Sequence, residues 1–444
     1  LPALFPEGPL KEYPPQGKPA PYALAVADAD GDDRLDLLVA TPSVTVFPGD
    51  GEGGWESVPK PGIESPALVD SGDLDGDGRD DLVLADANGT SVRLADGQGG
   101  WGAAVPLGFS STVFLFLRDE NGDGDLDVLT IGTDVSSFPP TKTLRVAHGD
   151  GAGGFGAPVD HPFDWLDATC GEPGDLDGDG DLDLALVTWE PVPIFGGENS
   201  FLTTMNNEGG YRFAATPKVN YWVTSPSDTP PHDHQPRLAD ADGDGDLDFF
   251  LRGQTVPLSP GANLNWVKND GAGNPTFGGG PVHNGIIGFA LGDLNADGLL
   301  DAAVTYFKET RVCLGMGGGA FAAPVAIGGG SDHDLHIADI DQDGRLDVVV
   351  GAATVFRGLP GGDFERSAYF AHTESDLHRD LVLDVDGDGW LDVLAFTSSL
   401  YGTPGRVLLN HVLLSAWKDF GHGLAGSFGI PRLVGQGTLK AGSP

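Results

Sequence analysis

A nine-residue pattern, Asp-x-Asp-x-Asp-Gly-x-x-Asp, recurs through this 444-residue chain, and each copy runs into a short apolar stretch. Clear copies begin at Asp73, Asp175, Asp240, Asp339 and Asp384, and variants begin at Asp28, Asp119 and Asp293. From first Asp to first Asp the spacings are 45, 46, 56, 65, 53, 46 and 45 residues. A unit of that length is one supersecondary element, too small to bury its own apolar face, so successive units must stack. The runs after the motif read as strands: Leu35–Ala40, Asp81–Ala85, Leu126–Ile131, Leu182–Thr188, Leu247–Leu251, Leu300–Thr305, Leu346–Val350 and Leu391–Phe396. A second run follows in most units, such as Val44–Phe47, Ser91–Leu94, Leu144–Ala147 and Thr354–Phe356. A Gly-rich turn then ends in Trp55, Trp101, Phe155, Phe213, Phe277, Phe321 or Phe364, and a further short strand precedes the motif, as in Ala23–Ala27 and Phe114–Leu117. Four short strands per unit, joined by turn residues, describe a propeller blade.

The motif itself selects a ligand. A hard divalent cation takes six to eight oxygens from a loop that curls around it. Positions one, three, five and nine carry the oxygen donors. In the first three loops these are Asp28, Asp30, Asp32 and Asp36; Asp73, Asp75, Asp77 and Asp81; and Asp119, Asn121, Asp123 and Asp127. The fourth and fifth loops offer Asp175, Asp177, Asp179 and Asp183, then Asp240, Asp242, Asp244 and Asp248. The last three offer Asp293, Asn295, Asp297 and Asp301; Asp339, Asp341, Asp343 and Asp347; and Asp384, Asp386, Asp388 and Asp392. Position seven adds its backbone carbonyl. Position six is Gly except for Asp33, because the curl needs a positive φ. The first loop, and the two with Asn121 or Asn295, are expected to bind more weakly. An EF-hand shares the first six positions, but it needs flanking helices and Glu at position twelve, where this chain places strand residues such as Val39, Leu84 and Leu186. The expectation is about eight structural Ca²⁺ ions, whose removal loosens the fold.

Composition narrows the partners. Net charge is −42, which disfavours nucleic acid, since phosphate recognition needs a basic footprint. There is no transmembrane segment, for no run of eighteen apolar residues occurs. Cys170 and Cys313 are too few for a disulfide framework and read as buried thiols. The chain opens at Leu1 without an initiator Met, which reads as the start of a mature or excised segment.

The stretches "GDLDGDGRDDLVLA", "GDGAGGFGAPV" and "IADIDQDGRLDVVVGAATVFRG" resemble the FG-GAP (VCBS-type) repeats of integrin α-subunit propellers and of secreted bacterial proteins. The resemblance covers about residues 1–411. It implies an all-β, eight-bladed β-propeller of four-stranded blades with a Ca²⁺ loop in each blade, one blade more than integrins have. Residues 412–444 are then a C-terminal β extension, truncated or used in ring closure or assembly. For closure, Phe5–Tyr13 beside Arg406–Asn410 competes with Ser427–Leu433. By the same resemblance the expected function is a secreted, calcium-binding adhesion or interaction module that meets a protein or glycan at a cell surface or in the matrix. Two alternatives stand: a self-assembling subunit that uses a terminal strand, and a glycan-binding protein or polysaccharide lyase. The favoured reading is not an enzyme.

Propeller topology puts the calcium loops and Gly-rich turns on one face and the longer inserts on the other. Those inserts are Gly132–Thr143, Trp189–Phe201, Thr216–Pro236 and Gly253–Asn263, with the aromatics Phe138, Trp189, Phe195, Tyr221 and Trp222. Histidines gather between units at His161, His232, His234, His283, His333, His336, His372 and His378, several beside Asp164, Asp233, Asp332, Asp334 or Asp376. They are either loop caps or an acid/base or metal cluster.

Overall fold

The structure is a computed structural model. It describes residues 11–12, 23–32, 34–40, 43–49, 63–64, 68–86, 89–97, 100–108, 112–134, 141–163, 168–192, 197–209, 212–223, 236–253, 262–277, 284–306, 309–329, 335–351, 354–369, 377–384, 389–398, 405–408, 418–420 and 432–433. Every regular element among them of four residues or more is a strand, and no helix is long and apolar enough to cross a membrane. The chain divides into two compact units, one of Lys18–Leu166, Gly209–Arg212 and Gly426–Pro444, the other of Leu1–Gly17, Asp167–Glu208 and Phe213–Ala425.

Three antiparallel meanders fill the first unit. They are Ala23–Ala27, Asp36–Ala40, Ser43–Phe47 and Ile63–Glu64; Leu68–Gly72, Asp81–Asp86, Gly89–Arg93 and Val105–Pro106; and Thr112–Arg118, Asp127–Asp134, Thr141–Ala147 and Val159–Phe163. Sheets four to eight belong to the second unit. Sheet four comprises Ala168–Gly174, Asp183–Val192, Gly197–Asn207 and Phe213–Ala215, and sheet five Arg237–Ala239, Asp248–Gly253, Ala262–Asn269 and Pro275–Phe277. Sheet six comprises Gly288–Gly292, Asp301–Tyr306, Glu309–Cys313 and Val325–Gly328, and sheet seven Leu335–Ala338, Asp347–Val350, Thr354–Leu359 and Asp363–Tyr369. Sheet eight comprises Leu377–Leu383, Asp392–Ser398, Gly405–Leu408 and Lys418–Phe420.

In every sheet the second strand opens on the ninth motif residue. That strand is buried on both faces, as Asp81–Ala85 and Asp347–Val350 show, which explains its unbroken apolar sequence. The outermost strand is more open, and both residues of Val105–Pro106 are exposed. Facing sheets share cores. Val83 and Val92 of sheet two pack with Leu115, Leu117 and Val128 of sheet three. Phe250 and Leu264 of sheet five pack with Ala302 and Val304 of sheet six, and Ala303 and Val312 with Val348, Val350 and Phe356 of sheet seven. Each such aliphatic or aromatic side chain contributes roughly 1.5–3 kcal/mol when fully buried. Cys313 lies in this core, and burial pushes its thiol up to about 12, so it is inert at neutral pH. Cys170 sits in the first strand of sheet four.

Two inserts prove to be sheet. Residues 189–192 and 197–201 extend a hairpin, pairing Trp189 with Ser200 and Val192 with Gly197, and Val219–Val223 adds a strand against residues 199–202. Asn284–Ile286 does the same for Ala262 and Asn263. Of the two closure candidates, Lys11–Glu12 and Arg432–Leu433 are described. The place beside Gly405–Leu408 is taken by Lys418–Phe420, and Lys11–Glu12 pairs parallel to that strand, one position further out. The nearer strand closes the shorter loop, which carries the smaller entropy cost. Arg432–Leu433 pairs parallel to Ala23–Leu24.

Candidate metal centres in the acidic loops

The loop of sheet two shows how the motif folds. Asp73 accepts hydrogen bonds from the backbone N–H of Gly76 (2.8 Å) and Asp77 (3.1 Å) on Oδ1 and of Gly78 (3.0 Å) on Oδ2. Asp75 accepts from Asp77 N (3.2 Å), and Asp77 accepts from Arg79 N (3.0 Å). Each carboxylate thus holds the backbone two to five residues ahead, the ordinary habit of Asp in turns. Equivalent bonds tie Asp28 to Gly31 and Asp32, Asp119 to Gly122 and Gly124, and Asp175 to Gly178 and Gly180. They tie Asp240 to Gly243 and Gly245, Asp293 to Asp297 and Gly298, Asp339 to Asp343 and Gly344, and Asp384 to Gly389. Asn121 and Asn295 keep the position-three bond, accepting from Asp123 and Asp297 at 2.8 Å. Position six has φ between +82° and +98° where it is described, as the sequence pattern requires. Position four is left-handed too, which the pattern did not reveal, and there Ala296 (φ 60°) and Gln342 (φ 53°) stand in for glycine. Asp33, Asp386 and Asp388 lie outside the described residues.

Position nine does a different job. Asp36, Asp81, Asp127, Asp183, Asp248, Asp301, Asp347 and Asp392 are all buried. In the first seven, Oδ2 accepts the N–H of motif position two, and Oδ1 accepts an N–H at the end of the third strand or just beyond it. In sheet two these donors are Leu74 (3.0 Å) and Ala95 (2.7 Å), and in sheet four Leu176 (2.7 Å) and Asn207 (2.6 Å). One carboxylate therefore closes the loop and fastens it to the turn of the same sheet. Burial pushes Asp36, Asp81, Asp183 and Asp347 up to about 6, while the two N–H donors pull the other way.

Carboxylates of the loop converge, the ninth position among them. In four loops one oxygen from each of three residues lies within 4.8 Å of the others: Asp28, Asp30 and Asp32; Asp73, Asp75 and Asp81; Asp175, Asp177 and Asp183; and Asp240, Asp242 and Asp248. Oxygens that share a Ca²⁺ at 2.3–2.6 Å lie at most about 5 Å apart, so the set fits that ion. The crowding has an electrostatic cost: burial, then repulsion from Asp179, raises Asp177. Basic side chains fold back onto several loops. Lys268 reaches Asp242 and, at 2.7 Å, Asp244; Arg357 binds Asp341, Arg79 binds Asp77 and Arg345 binds Asp343.

The next sheet also grips the loop. The position-two carbonyl of Leu74 accepts from Gly153 N (2.9 Å) in the Gly-rich turn of sheet three, and that of Ala241 from Gly319 N (3.0 Å) of sheet six. Asn269 of sheet five reaches the Leu176 carbonyl at 2.5 Å.

Sheet three departs from the pattern. Position two is Glu120 where the other described loops have Ala or an aliphatic residue, and one of its oxygens clusters with Asp127 and His148 within 4.8 Å. Sequence reading passed over both Glu120 and His148, although a charged residue at an apolar repeat position was a visible signal. The interblade histidines fare differently. His161, His336 and His378 are strand residues in three different sheets rather than residues of loops, and His232, His234, His283, His333 and His372 lie outside the described residues, as do Phe138 and Phe195.

Residues 73–130 and 293–350 each match the FG-GAP-like repeat. These two segments are FG-GAP-like repeats. Each matched segment spans two successive motifs with their ninth-position Asp residues, the first with Asp73 and Asp119 and the second with Asp293 and Asp339. No curated protein matches the chain. Among solved structures it is similar to a lectin of Agrocybe aegerita described as recognising non-reducing terminal N-acetylglucosamine, with 16% identity over 90% of this chain and 89% of that one and a TM-score of 0.41. It is also similar to the V. cholerae biofilm matrix protein Bap1, with 13% identity over 87% of both chains and a TM-score of 0.39.

Proposed function

We propose that this FG-GAP repeat chain is a calcium-stabilised, eight-bladed propeller that serves as a non-enzymatic interaction module outside the cell or at its surface. The observation that carries the reading is the convergence of loop carboxylates in sheet after sheet, each fixed by backbone donors into an oxygen cage of Ca²⁺ dimensions. The loop aspartates supply oxygens, and the ion supplies the positive charge that they lack. Sites of extracellular modules bind with Kd of about 10⁻⁴–10⁻³ M, which suits a calcium-rich exterior. The carboxylates singled out by the motif hold scaffold, so recognition of a protein or glycan belongs to the inserted strands and hairpin of sheets four and five. Calorimetric titration of calcium-stripped protein tests the metal, with several equivalents of Ca²⁺ and a raised Tm expected. A Tm indifferent to Ca²⁺ refutes it. A glycan array and a surface-protein binding screen then separate the two partner classes.

One observation favours a second reading, self-association. Lys11–Glu12 and Arg432–Leu433 both add parallel strands to sheet edges, and an edge that takes a terminal strand of its own chain can take that of another copy. Light scattering that shows monomers at all concentrations excludes it.

A further inference from the structure

Two linked departures distinguish the third sheet from its sisters. Glu120 occupies motif position two, where Ala29, Leu74, Leu176, Ala241, Leu294 and Ile340 are buried. The backbone there does not require a carboxylate, since Glu120 N donates to Asp127 (3.0 Å) just as Leu74 N donates to Asp81 (3.0 Å). His148 occupies the residue before the donor to the ninth-position Asp, where other sheets have Leu94, Asn206, Lys268, Leu314 or Arg357. These two unusual residues meet.

Glu120 is 2% exposed and Asp127 0%. Two carboxylates buried side by side cost several kcal/mol per ion unless a cation lies between them. The Nδ1 atom of His148 stands 3.4 Å from Glu120 Oε2 and 3.4 Å from Asp127 Oδ2. An ionic N–H···O bond runs to about 2.7–2.9 Å, and one proton on Nδ1 points to one carboxylate at a time. With metal–ligand bonds of 2.0–2.2 Å, however, the edge of a tetrahedral coordination shell is roughly 3.3–3.5 Å. Both His148 spacings fall on that edge, and the Glu120 and Asp127 oxygens lie within 4.8 Å of one another. The Asn121 amide lies alongside, its oxygen taken by Asp123 N (2.8 Å) and its nitrogen 3.4 Å from Nδ1. The His148 side chain, 14% exposed, gives the cluster its opening to solvent.

We propose that Glu120, Asp127 and His148 form a separate site for a Zn²⁺-class cation, with water in the fourth position. One imidazole nitrogen and two carboxylate oxygens are the donor set of such a metal, whereas Ca²⁺ takes oxygen alone. The site goes beyond the calcium reading, although Asp127 also closes the third calcium loop, so the two cations would share that carboxylate.

The test uses the full chain in excess Ca²⁺, which keeps the acidic loops filled. Zn²⁺ is titrated by calorimetry, and Co²⁺ by its visible absorption. One equivalent of Zn²⁺ and a tetrahedral Co²⁺ spectrum are expected. Glu120→Leu, which restores the aliphatic residue of the sister loops, and His148→Asn should each weaken Zn²⁺ by at least about 10-fold and abolish the Co²⁺ bands. A parent protein that takes up no Zn²⁺, or a folded Glu120→Leu variant that binds it as tightly as the parent, overturns the proposal in favour of an ion pair. Should His148→Asn fail to fold, Glu120→Leu decides alone. Failure of the calcium reading would appear separately, as a parental Tm that ignores Ca²⁺.

Discussion

Stripping calcium should reverse the way stability depends on pH. Asp36, Asp81, Asp183 and Asp347 are pushed from 3.8 up to about 6, with burial as the leading cause. A folded-state value above the unfolded one means that the native state binds the proton more tightly. The stabilisation is therefore complete below about 3.8, is lost as pH rises toward 6, and is gone at neutrality. Two units correspond to roughly 3 kcal/mol per carboxylate, and 1 kcal/mol moves Tm by about 2–4 °C in a domain of 150–250 residues. Stripped protein should consequently gain stability as pH falls from 7 to 5. Bound Ca²⁺ holds the same groups ionised, and at ~100 times Kd each ion contributes about 2.7 kcal/mol. Protons then compete with the metal, and stability in excess Ca²⁺ should fall over the same interval. Differential scanning calorimetry in calcium-stripped and calcium-saturated buffers at pH 5, 6 and 7 reads both slopes. Parallel slopes, or a stripped protein that weakens as it is acidified, would refute the assignment of these aspartates as buried, metal-neutralised groups.

Other perturbations address single loops. Lys268→Met removes the cation that neutralises Asp242 and Asp244, so Ca²⁺ affinity of the fifth loop should rise several-fold, measured by calorimetry on the variant. Ala296→Gly relieves a left-handed φ of 60° without removing a side-chain hydrogen bond and should stabilise the chain by about 0.5–1 kcal/mol in urea unfolding. Gly319→Ala places a Cβ 2.3 Å from the Trp266 ring at φ +73° and should destabilise by about 2–4 kcal/mol, with altered tryptophan fluorescence.

The strand pattern was legible because the second strand of each sheet is buried on both faces, which leaves an unbroken apolar run such as Leu82–Ala85 or Val348–Val350. Starts after the motif shifted by at most one residue: the strand expected from Leu35 begins at Asp36, since the ninth aspartate already pairs within the sheet. The inserts misled for a physical reason. Residues 189–201 look like a loop rich in Pro and Gly, yet the long antiparallel pairing carries Pro191 opposite Glu198. The acidic loops could be read from side-chain spacing alone. The double role of the ninth aspartate could not, because its second partner lies 11 to 24 residues later and the link runs through a backbone N–H. Glu120 and His148, 28 positions apart, meet only because a hairpin brings the end of one strand back beside the start of another.

On the calcium reading, these bonds would make occupancy a property of neighbouring sheets rather than of one loop. Asp81 ties the second loop to its own sheet, and Leu74, two residues into the motif, takes a hydrogen bond from Gly153 of the sheet that follows. Asp248 and Ala241 repeat the arrangement between sheets five and six. A loop that loses its ion would loosen the anchor for the adjacent Gly-rich turn, and that turn is continuous with the third strand of its own sheet. Stability in such an array is a sum of unit and nearest-neighbour contributions. Ions bound at successive loops would thus reinforce one another through packing, without direct contact between them. The tethered Lys268 and Arg357 then acquire a purpose: they hold loop charge in place when the ion is absent, so that two of the links do not depend wholly on calcium.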